Sequence, residues 1–463
     1  MAITITNNKI INLTLNTKFK IKLKAKGGTK PYSWSTKSTL PNKIKLTSKG
    51  ALRGIPKEIG TFKKIKIKAV DNNGISVTKR FKIIVESVAP NTTTTTTAAP
   101  LGSGTLWLWG DNSSLALGDN SGLPKSSPVQ TAAFGNNWKE LSLSGLHGMA
   151  IKTDGTLWTW GTNAYGLLGD NTTVAGRLSP VQTITGGTNW ESASSGAIHS
   201  GAIKTDGTLW LWGYNVYGQL GDNTITNRSS PVQTVCGGTN WKQVSCGGYH
   251  TAAIKTDGTL WLWGNNTFGG LGDNTIINRS SPIQTIVGGS NWKQVCASSG
   301  YYTLAIKTDG TLWAWGANGG NLGDNTIINR SSPVQVVSGG TNWKQVSGSG
   351  NFFSAATKTD GTLWCWGLNT HGTLGDNTTV NKSSPVQIIG GGTNWSEVYC
   401  GGGSVIAIKT DGTVWNWGNN GSGQLGDNTT VKKSSPVQTI ANGNNWIKVN
   451  SNGGGVAGAI KEN

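Results

Sequence analysis

Three histidines have the residue type and the regular spacing that metal chemistry would need. His147, His199 and His250 lie 52 and 51 residues apart, and each stands nine residues after a tryptophan. Three imidazoles on neighbouring repeats could bind zinc, but no Cys or carboxylate joins them at the spacing of zinc ligands. We therefore favour a packing role and predict no metal site. In the other repeats the same spacing selects Tyr301, Phe352, Ser404 and Gly455.

An aspartate and a basic residue also recur in each of seven repeats. The aspartates are Asp119, Asp170, Asp222, Asp273, Asp324, Asp376 and Asp427. The basic residues are Lys125, Arg177, Arg228, Arg279, Arg330, Lys382 and Lys433. They could form a charged annulus that binds a ligand, but we favour Asx turns and local ion pairs that join adjacent repeats. A catalytic constellation would have to break the repeat, and none is visible, so we predict no enzyme activity, no catalytic residue and no cofactor.

The cysteines and glycines suggest no further chemistry. Five Cys residues are an odd number without a Cys-x-x-Cys pair, which predicts reduced, buried side chains and fits assembly in a cytosol. The Gly-rich stretches lack the Gly-Lys-Ser/Thr sequence of a phosphate-binding loop.

Tryptophan positions define the repeat that carries these residues. The sequence Trp-x-Trp-Gly begins at Trp107, Trp158, Trp210, Trp261, Trp313, Trp364 and Trp415. A third tryptophan follows each pair, at Trp138, Trp190, Trp241, Trp292, Trp343, Trp395 and Trp446. Only Trp34 lies outside this pattern. The spacing indicates seven units of about 50 residues, typical of a β-propeller.

Each unit contains four short strand candidates. The Asp-Gly of the recurring Lys-Thr-Asp-Gly sequence predicts a type I′ hairpin turn between two of them. The first unit lacks its second strand, and the last unit stops after its own second strand. We therefore predict that the strand near Ala459, Ile460 and Lys461 pairs with Thr105 to Trp109 and closes the ring.

Residues 101–463 resemble the regulator of chromosome condensation repeat family. Close matches to its motif include Trp212, Gly213, Asn215, Gly218, Gln219, Leu220 and Gly221. The resemblance implies a closed seven-bladed propeller. Members of the family include a guanine nucleotide exchange factor with chromatin contacts, a bacterial enzyme inhibitor and surface proteins, so the fold alone does not assign a function. We find no inserted hairpin of the kind that the exchange factor uses.

The loop after Trp-Gly differs between units and is the best place to look for recognition. Tyr165, Tyr217 and Phe268 occupy this loop on successive blades, and His371 lies in a later copy. We predict these four as candidate partner-binding residues. For the three aromatic residues, packing of each loop on its own blade is an equally acceptable alternative.

The first ninety residues differ in charge from the rest of the chain. They contain 18 Lys, 2 Arg and 3 acidic residues, while the whole chain has a net charge of +19. Lysines alternate with apolar residues, which predicts half-buried strands with lysine on the outer face. The lysines that could contact an anionic partner are Lys18, Lys20, Lys22, Lys24, Lys26, Lys64, Lys66 and Lys68. A solvated strand face is the favoured alternative, and no specific nucleic-acid site is predicted because no exposed aromatic platform accompanies the lysines.

The same segment resembles Ig-like domains of bacterial and phage surface proteins, through its spaced Gly, Pro, Trp and Asp residues. The predicted all-β organisation is a basic Ig-like β-sandwich at 1–88, a Thr/Pro/Ala linker at 89–103 and the propeller at 104–463. The linker contains an uninterrupted threonine run, 92–97, that resembles linkers in phage virion proteins.

These features lead to a functional hypothesis of display on a virion. We predict a phage fibre or decoration protein, assembled in the host cytoplasm, whose Ig-like end binds other virion proteins. Its propeller would bind a host-surface protein or polysaccharide. The alternatives are a bacterial surface adhesin, or an intracellular regulator or inhibitor that uses the propeller to bind proteins. No apolar run is long enough for a membrane helix, so we predict no membrane insertion.

Overall fold

The structure is a computed structural model that describes most of the chain. The described ranges are 3–6, 10–14, 19–58, 60–86, 103–133, 135–174, 176–184, 187–337, 340–390, 392–440, 443–451 and 453–462. The chain divides into two compact units, 1–100 and 101–463. The predicted linker, 89–103 with its threonine run, lies outside the described residues except for Ser103.

The described residues of the N-terminal unit contain nine strands. They are β1 Thr4–Ile5, β2 Ile10–Thr14, β3 Phe19–Lys22, β4 Ala25–Lys26, β5 Ser33–Thr36, β6 Ile44–Leu46, β7 Ala51–Gly54, β8 Gly60–Val70 and β9 Ser76–Glu86, of which β8 and β9 are the longest. One sheet has the order β2-β9-β8-β5, another has β3-β7-β6, and β1 pairs with β4. Strands β2 and β9 are parallel, and the other pairs are antiparallel.

A single hydrophobic core joins the sheets of this unit. Ile65, Ile67 and Ala69 of β8 are buried in it together with Trp34 and Phe81. The lysines between these β8 residues point outward and are exposed. The predicted alternation of apolar and lysine side chains is therefore confirmed on this strand, because successive side chains of a strand face opposite sides of the sheet.

The second unit is built from four-stranded blades in which each strand class starts at a repeated motif. The innermost strands are β12 Trp138–Leu143, β16 Trp190–Ser195, β20 Trp241–Cys246, β24 Trp292–Ala297, β28 Trp343–Gly348, β32 Trp395–Cys400 and β36 Trp446–Asn450. The second strands are β13 His147–Lys152, β17 His199–Lys204, β21 His250–Lys255, β25 Tyr302–Lys307, β29 Phe353–Lys358, β33 Ser404–Lys409 and β37 Val456–Glu462.

The two outer strands of each blade contain the Trp-x-Trp pair and the loop proline. The third strands are β10 Gly104–Gly110, β14 Leu157–Gly161, β18 Leu209–Gly213, β22 Leu260–Gly264, β26 Leu312–Gly316, β30 Leu363–Gly367 and β34 Val414–Gly418. The fourth strands are β11 Lys125–Gln130, β15 Arg177–Gln182, β19 Arg228–Gln233, β23 Arg279–Gln284, β27 Arg330–Gln335, β31 Lys382–Gln387 and β35 Lys433–Gln438. A 3-10 turn covers Ala164–Gly166.

One blade combines the two ends of this unit. Strands β36 and β37 continue into β10 and β11, and β10 pairs with β37 over seven residues, including Thr105 opposite Lys461 and Leu106 opposite Ile460. The strand pairing predicted from the incomplete first and last repeats is confirmed. Each end of the unit thereby covers an edge that the other would leave open.

Adjacent blades are linked by one hydrogen bond that repeats around the unit. An asparagine N–H directly after the Asp of each repeat donates to a carbonyl on the fourth strand of the next blade, at 2.8 to 3.0 Å. The donors are Asn120, Asn171, Asn223, Asn274, Asn325, Asn377 and Asn428. The last of them donates to Ser126, in the blade that contains the first repeat. All seven have φ between 59° and 64°, a left-handed conformation that asparagine tolerates better than most residues.

The second tryptophan of each pair strengthens the same junctions. The indole N–H of Trp263, for example, donates to the carbonyl of Gln219 in the preceding blade at 2.8 Å. A Cβ at Gly221 would lie 2.7 Å from that indole nitrogen, and Gly221 also has φ of 64°. Gly221, the last residue of the Gly-Gln-Leu-Gly sequence, therefore has to be a glycine, both because of its backbone conformation and because the adjacent indole leaves no room for a side chain.

The Asp-Gly hairpin has a different turn from the one predicted. In the turn after β13, the N–H of Gly155 donates to the carbonyl of Lys152, and the N–H of Lys152 donates to the carbonyl of Thr156. Gly155 has φ of 78°, whereas Asp154 is not left-handed. The loop therefore contains three residues ending in a left-handed glycine, and the type I′ prediction is wrong because such a turn needs positive φ at both central residues.

Candidate functional site

Six aromatic side chains on four neighbouring blades form an unbroken series of ring contacts, called here the aromatic arc. The series runs through Tyr165, Tyr214, Tyr217, Tyr249, Tyr301 and Phe268, with centroid separations of 4.8, 6.3, 5.6, 5.1 and 5.5 Å. Tyr249 and Tyr301 are stacked with an interplanar angle of 9°, and the other contacts are edge-on. Such geometries are favourable for aromatic pairs.

The arc combines two kinds of loop. Tyr165, Tyr217 and Phe268 lie between the third and fourth strands, as the sequence indicated. Tyr249 and Tyr301 lie between the first and second strands. Rings from the two loop types contact each other across blade boundaries, as Tyr217 does with Tyr249. Packing of each loop on its own blade is therefore not the whole explanation.

Part of the arc is open to solvent. Tyr165 is 46% exposed and Phe268 is 40% exposed, while the four rings between them are partly buried. Desolvation, reinforced by Tyr249, raises the pKa of Tyr301 to about 12, and burial also raises the pKa of Tyr214. Tyr214 and Tyr301 are consequently uncharged at neutral pH.

The corresponding loops of the later blades are polar or have no side chain. Gly319 and Gly320 stand in the next copy of the variable loop, followed by Thr370 and His371 and then by Gly421 and Ser422. His371 contacts the Nζ of Lys432 at 3.0 Å, and burial followed by this lysine lowers the pKa of His371. His371 lies in a pocket with Phe352 and Thr370, separate from the ring series, so it is not grouped with the other three candidates.

The buried histidines connect blades. His147, His199 and His250 each place Nε2 within 2.7 to 3.0 Å of a hydroxyl on the second strand of the next blade. Desolvation lowers their pKa values to about 3, 3 and 4, respectively. In the described residues no group of three His, Cys, Asp or Glu side chains is arranged to hold a metal ion. This geometry supports the packing role that was favoured for them.

Strand register corrects which residues are equivalent to these histidines. His250 pairs with Gly264, the glycine of Trp-x-Trp-Gly on the third strand. In the repeats without a histidine, the residues that pair with the glycine at the same position are Tyr302, Phe353, Ser404 and Val456. The expected positions Tyr301, Phe352 and Gly455 are each one residue early. In two repeats the extra residue produces left-handed conformations, with φ of 63° at Tyr301 and 55° at Phe352. Tyr302 takes over the histidine role, since its hydroxyl donates to the carbonyl of Phe353 at 2.7 Å.

In six of the seven loops, the charged residues of the repeat form an ion pair within the loop. Arg228 lies 2.8 Å from Asp222, and Thr224 caps the same carboxylate through its N–H and hydroxyl. Desolvation opposes ionisation, but the hydrogen bonds from Thr224 and Arg228 outweigh it and lower the pKa of Asp222. Asx turns and ion pairs are present as predicted, but the pairs are local to one blade and do not join two blades.

One group of side chains near the blade junctions breaks the repeat. Two residues after the third tryptophan, three successive blades have a glutamine whose amide hydrogen-bonds the next inner strand, as Gln243 does with Val295 at 2.9 and 3.1 Å. At this position the remaining blades have Glu140, Ser192, Glu397 and Lys448. Lys448 forms an ion pair with Glu140, and desolvation raises the pKa of Glu397.

The sequence contained a signal for this group. The recurring Trp-Lys-Gln-Val sequence changes to Trp-Ser-Glu-Val and Trp-Ile-Lys-Val in the last two repeats. Nearby, Tyr399 is half-buried beside Glu397, and desolvation raises the pKa of Tyr399 well above the ordinary value. This cluster lies where the last two blades meet the first one, so its ion pair links the innermost strands β12 and β36.

The structure distributes the candidate lysines over separate surfaces. Lys22, Lys24 and Lys26 line one groove, which Lys30 and Lys49 also line. Lys20 is exposed on the three-stranded sheet, and Lys64, Lys66 and Lys68 are exposed on the four-stranded sheet. Lys18 lies outside the described residues. The seven described lysines therefore do not form one face.

The cysteines are not disulfide-bonded in the structure. Cys246, Cys365 and Cys400 are buried, as expected, but Cys236 is exposed and Cys296 is half-buried. Among the described residues, no helix has the length and apolar character needed to cross a bilayer.

Comparison with known proteins assigns both units to sequence families. The RCC1-like domain family matches residues 78–389 and 189–462, and the He_PIG family of Ig domains matches residues 2–86. The ultraviolet-B receptor UVR8 of Arabidopsis thaliana is 29% identical over 282 residues, covering 60% of this chain and 64% of the receptor. The human E3 ubiquitin-protein ligase HERC2 is 28% identical over 340 residues, covering 71% of this chain and 7% of the ligase. The chain thus spans less than two thirds of each relative.

Solved structures agree on the propeller fold. Human WBSCR16 has a TM-score of 0.68 at 20% identity, covering 78% of this chain and 99% of its own. Prp20p of Saccharomyces cerevisiae, whose structure was described with its binding to Gsp1p and histones, has a TM-score of 0.67 at 18% identity. It covers 78% of this chain and 92% of its own.

Proposed function

The chain belongs to the RCC1-like domain family, and from this premise we propose that its propeller is a non-enzymatic protein-binding module with the aromatic arc as its contact surface. Relatives with this fold bind proteins, as Prp20p does with Gsp1p and histones. Of the alternatives raised by the sequence, a protein-binding regulator or inhibitor agrees best with these relatives.

The observation that carries this proposal is the partly exposed aromatic series on one side of a repetitive scaffold. Tyrosine is enriched at the energetically important centres of protein interfaces, where its ring provides area and its hydroxyl provides a hydrogen bond. The ring contacts of Tyr217 and Tyr249 hold these side chains in place before binding. A partner would therefore lose little side-chain entropy at this surface.

We also propose that the seven blades form a complete ring and that the N-terminal unit is an Ig-like β-sandwich. The inter-blade bond from Asn428 to Ser126 and the pairing of β10 with β37 support the ring. Two sheets that share one core, and the He_PIG match, support the sandwich. A complete ring would keep the loops of the aromatic arc in fixed relative positions.

The proposal is tested by quantitative affinity capture followed by reconstitution with the purified partner. The arc variant is Tyr165→Ser with Phe268→Ser. The matched control is Ile327→Ser with Ile328→Ser, which removes two more exposed apolar side chains outside the arc. We expect one partner to be lost by the arc variant alone, with Kd raised at least about tenfold in the purified pair. Equal loss by both variants, or by neither, would show that the arc is not the contact surface.

Display on a phage particle is a second proposal, supported by the threonine run at 92–97 and the highly basic first unit. In that case the Ig-like end would attach to virion proteins and the propeller would bind a host-surface protein or polysaccharide. Mass spectrometry of gradient-purified particles tests it. Stoichiometric recovery with particles would support virion assembly, and recovery only in the soluble host fraction would reject it.

A further inference from the structure

The N-terminal unit contains a groove of about 600 Å³ that is surrounded by positive charge, called here the lysine groove. Lys22, Lys24, Lys26, Lys30 and Lys49 line it, and Tyr32 lies among them. We infer that the lysine groove binds a chain of consecutive phosphate groups. Its volume lies within the range of small-ligand sites, which is about 300 to 1,000 Å³.

Acidic side chains do not line the lysine groove in the described structure. Two of the three acids in the first ninety residues are engaged by the backbone. Asp71 accepts hydrogen bonds from the N–H groups of Thr29, Asn73 and Ile75 at 2.9, 3.1 and 2.8 Å, and Glu58 accepts one from Asn42. The described wall of the groove therefore contains five lysines and no carboxylate.

Further cations extend the positive surface beside the groove. Lys20, on the same strand as Lys22, stands directly opposite Arg53, which stands opposite Lys45. All three are exposed on the three-stranded sheet. Like charges directly opposite each other destabilise a sheet, so this row has a cost to folding that a bound polyanion would offset.

The cations that line the groove in the described structure are all lysines. The lysine ammonium group is a compact point charge that commonly binds phosphate. Tyr32 donates a hydrogen bond to the carbonyl of Gly27, which fixes the ring beside the lysines. A half-buried ring next to cations accommodates the apolar part of a phosphorylated ligand, such as a base or a sugar.

The test is calorimetric titration of the full chain with sodium tripolyphosphate and with an eight-residue oligo(dT). The groove variant is Lys24→Gln, Lys26→Gln and Lys30→Gln. The charge-matched control is Lys242→Gln, Lys293→Gln and Lys344→Gln, on exposed positions of the propeller. We expect the groove variant to weaken both probes at least about tenfold and the salt slope for oligo(dT) to become less steep by about 2, since each phosphate contact contributes about 0.7.

The outcomes separate the source of the phosphate. If Tyr32→Leu weakens the binding of oligo(dT) but not that of tripolyphosphate, the ligand is a nucleotide chain. If Tyr32→Leu changes the binding of neither probe, the ligand is free oligophosphate. Either result supports the site. Absence of binding at 50 mM salt, equal weakening by the control variant, or equally tight binding of an alginate oligomer would overturn it. Thermal melts of all variants identify any loss of folding, and the salt slope of the unmodified chain provides a readout that needs no substitution.

Discussion

Acidification from pH 7.5 to pH 5.0 should destabilise the propeller through its three buried histidines. Burial lowers the pKa values of His147, His199 and His250 to about 3, 3 and 4, from 6.5. Because these values lie below those of the unfolded chain, the unfolded state binds more protons between pH 6.5 and pH 4. Stability is therefore present above pH 6.5 and is lost as the pH falls.

The size of the effect follows from linkage. At pH 5.0 each histidine is 1.5 pH units below its unfolded value, which corresponds to about 2 kcal/mol at about 1.4 kcal/mol per unit. The three together give about 6 kcal/mol, comparable with the total stability of a typical domain. The raised pKa of Glu397 acts in the opposite direction, since it adds stability as the pH falls.

Urea unfolding followed by tryptophan fluorescence at pH 7.5, 6.0 and 5.0 provides the assay. The test variant replaces all three histidines with glutamine, which does not titrate, and the control is His371→Gln. We expect the unfolding free energy of the unmodified chain and of the control to fall by several kcal/mol, and that of the triple variant to change much less. A flat profile for the unmodified chain, or an unchanged slope in the triple variant, would refute the reasoning.

Two further predictions concern the blade junctions. Gly221→Ala should lower the unfolding free energy by about 2 to 4 kcal/mol, because the new methyl group combines left-handed backbone strain with a close contact on Trp263. The control Gly288→Ala, whose new methyl group meets no atom within 4 Å, should change the unfolding free energy by less than about 0.5 kcal/mol, and equal effects of the two variants in thermal melts would contradict the prediction. Glu397→Gln should stabilise the chain more at pH 8 than at pH 4.5, because burial raises the pKa of Glu397 and its ionisation costs stability as the pH rises. Urea titrations would contradict this prediction if the difference in unfolding free energy between the variant and the unmodified chain shrank with rising pH.

The blades were predictable because their information is local. Trp-x-Trp-Gly and the third tryptophan recur in register with β-strands, so spacing alone located most strands and the pairing of the two ends. The details that depend on a single extra residue could not be predicted from the repeat spacing. One additional residue before Tyr301 shifts the equivalent position to Tyr302 and gives Tyr301 a positive φ.

The aromatic arc was only partly predictable. Tyr165, Tyr217 and Phe268 stood out because they vary between otherwise similar loops. Tyr249 and Tyr301 were missed because their contacts join different loop types of neighbouring blades, which repeat spacing does not reveal. Tyr214 was missed as well, although it lies in the same loop as Tyr217. Charge patterning likewise located the basic segment, but only the folded strands show that Lys22 and Lys49, far apart in sequence, line one groove.

Site-specific photocrosslinking tests most directly whether the aromatic arc binds a protein. A photoreactive phenylalanine analogue would replace Tyr165 or Phe268 in the arc, or Thr370 or Ser422 in the polar loops, and adducts would be identified by mass spectrometry in the source cells. We predict one discrete protein adduct from the two arc positions and none from the two polar positions. The same adduct from all four positions, or adducts from the polar positions alone, would contradict the proposed contact surface.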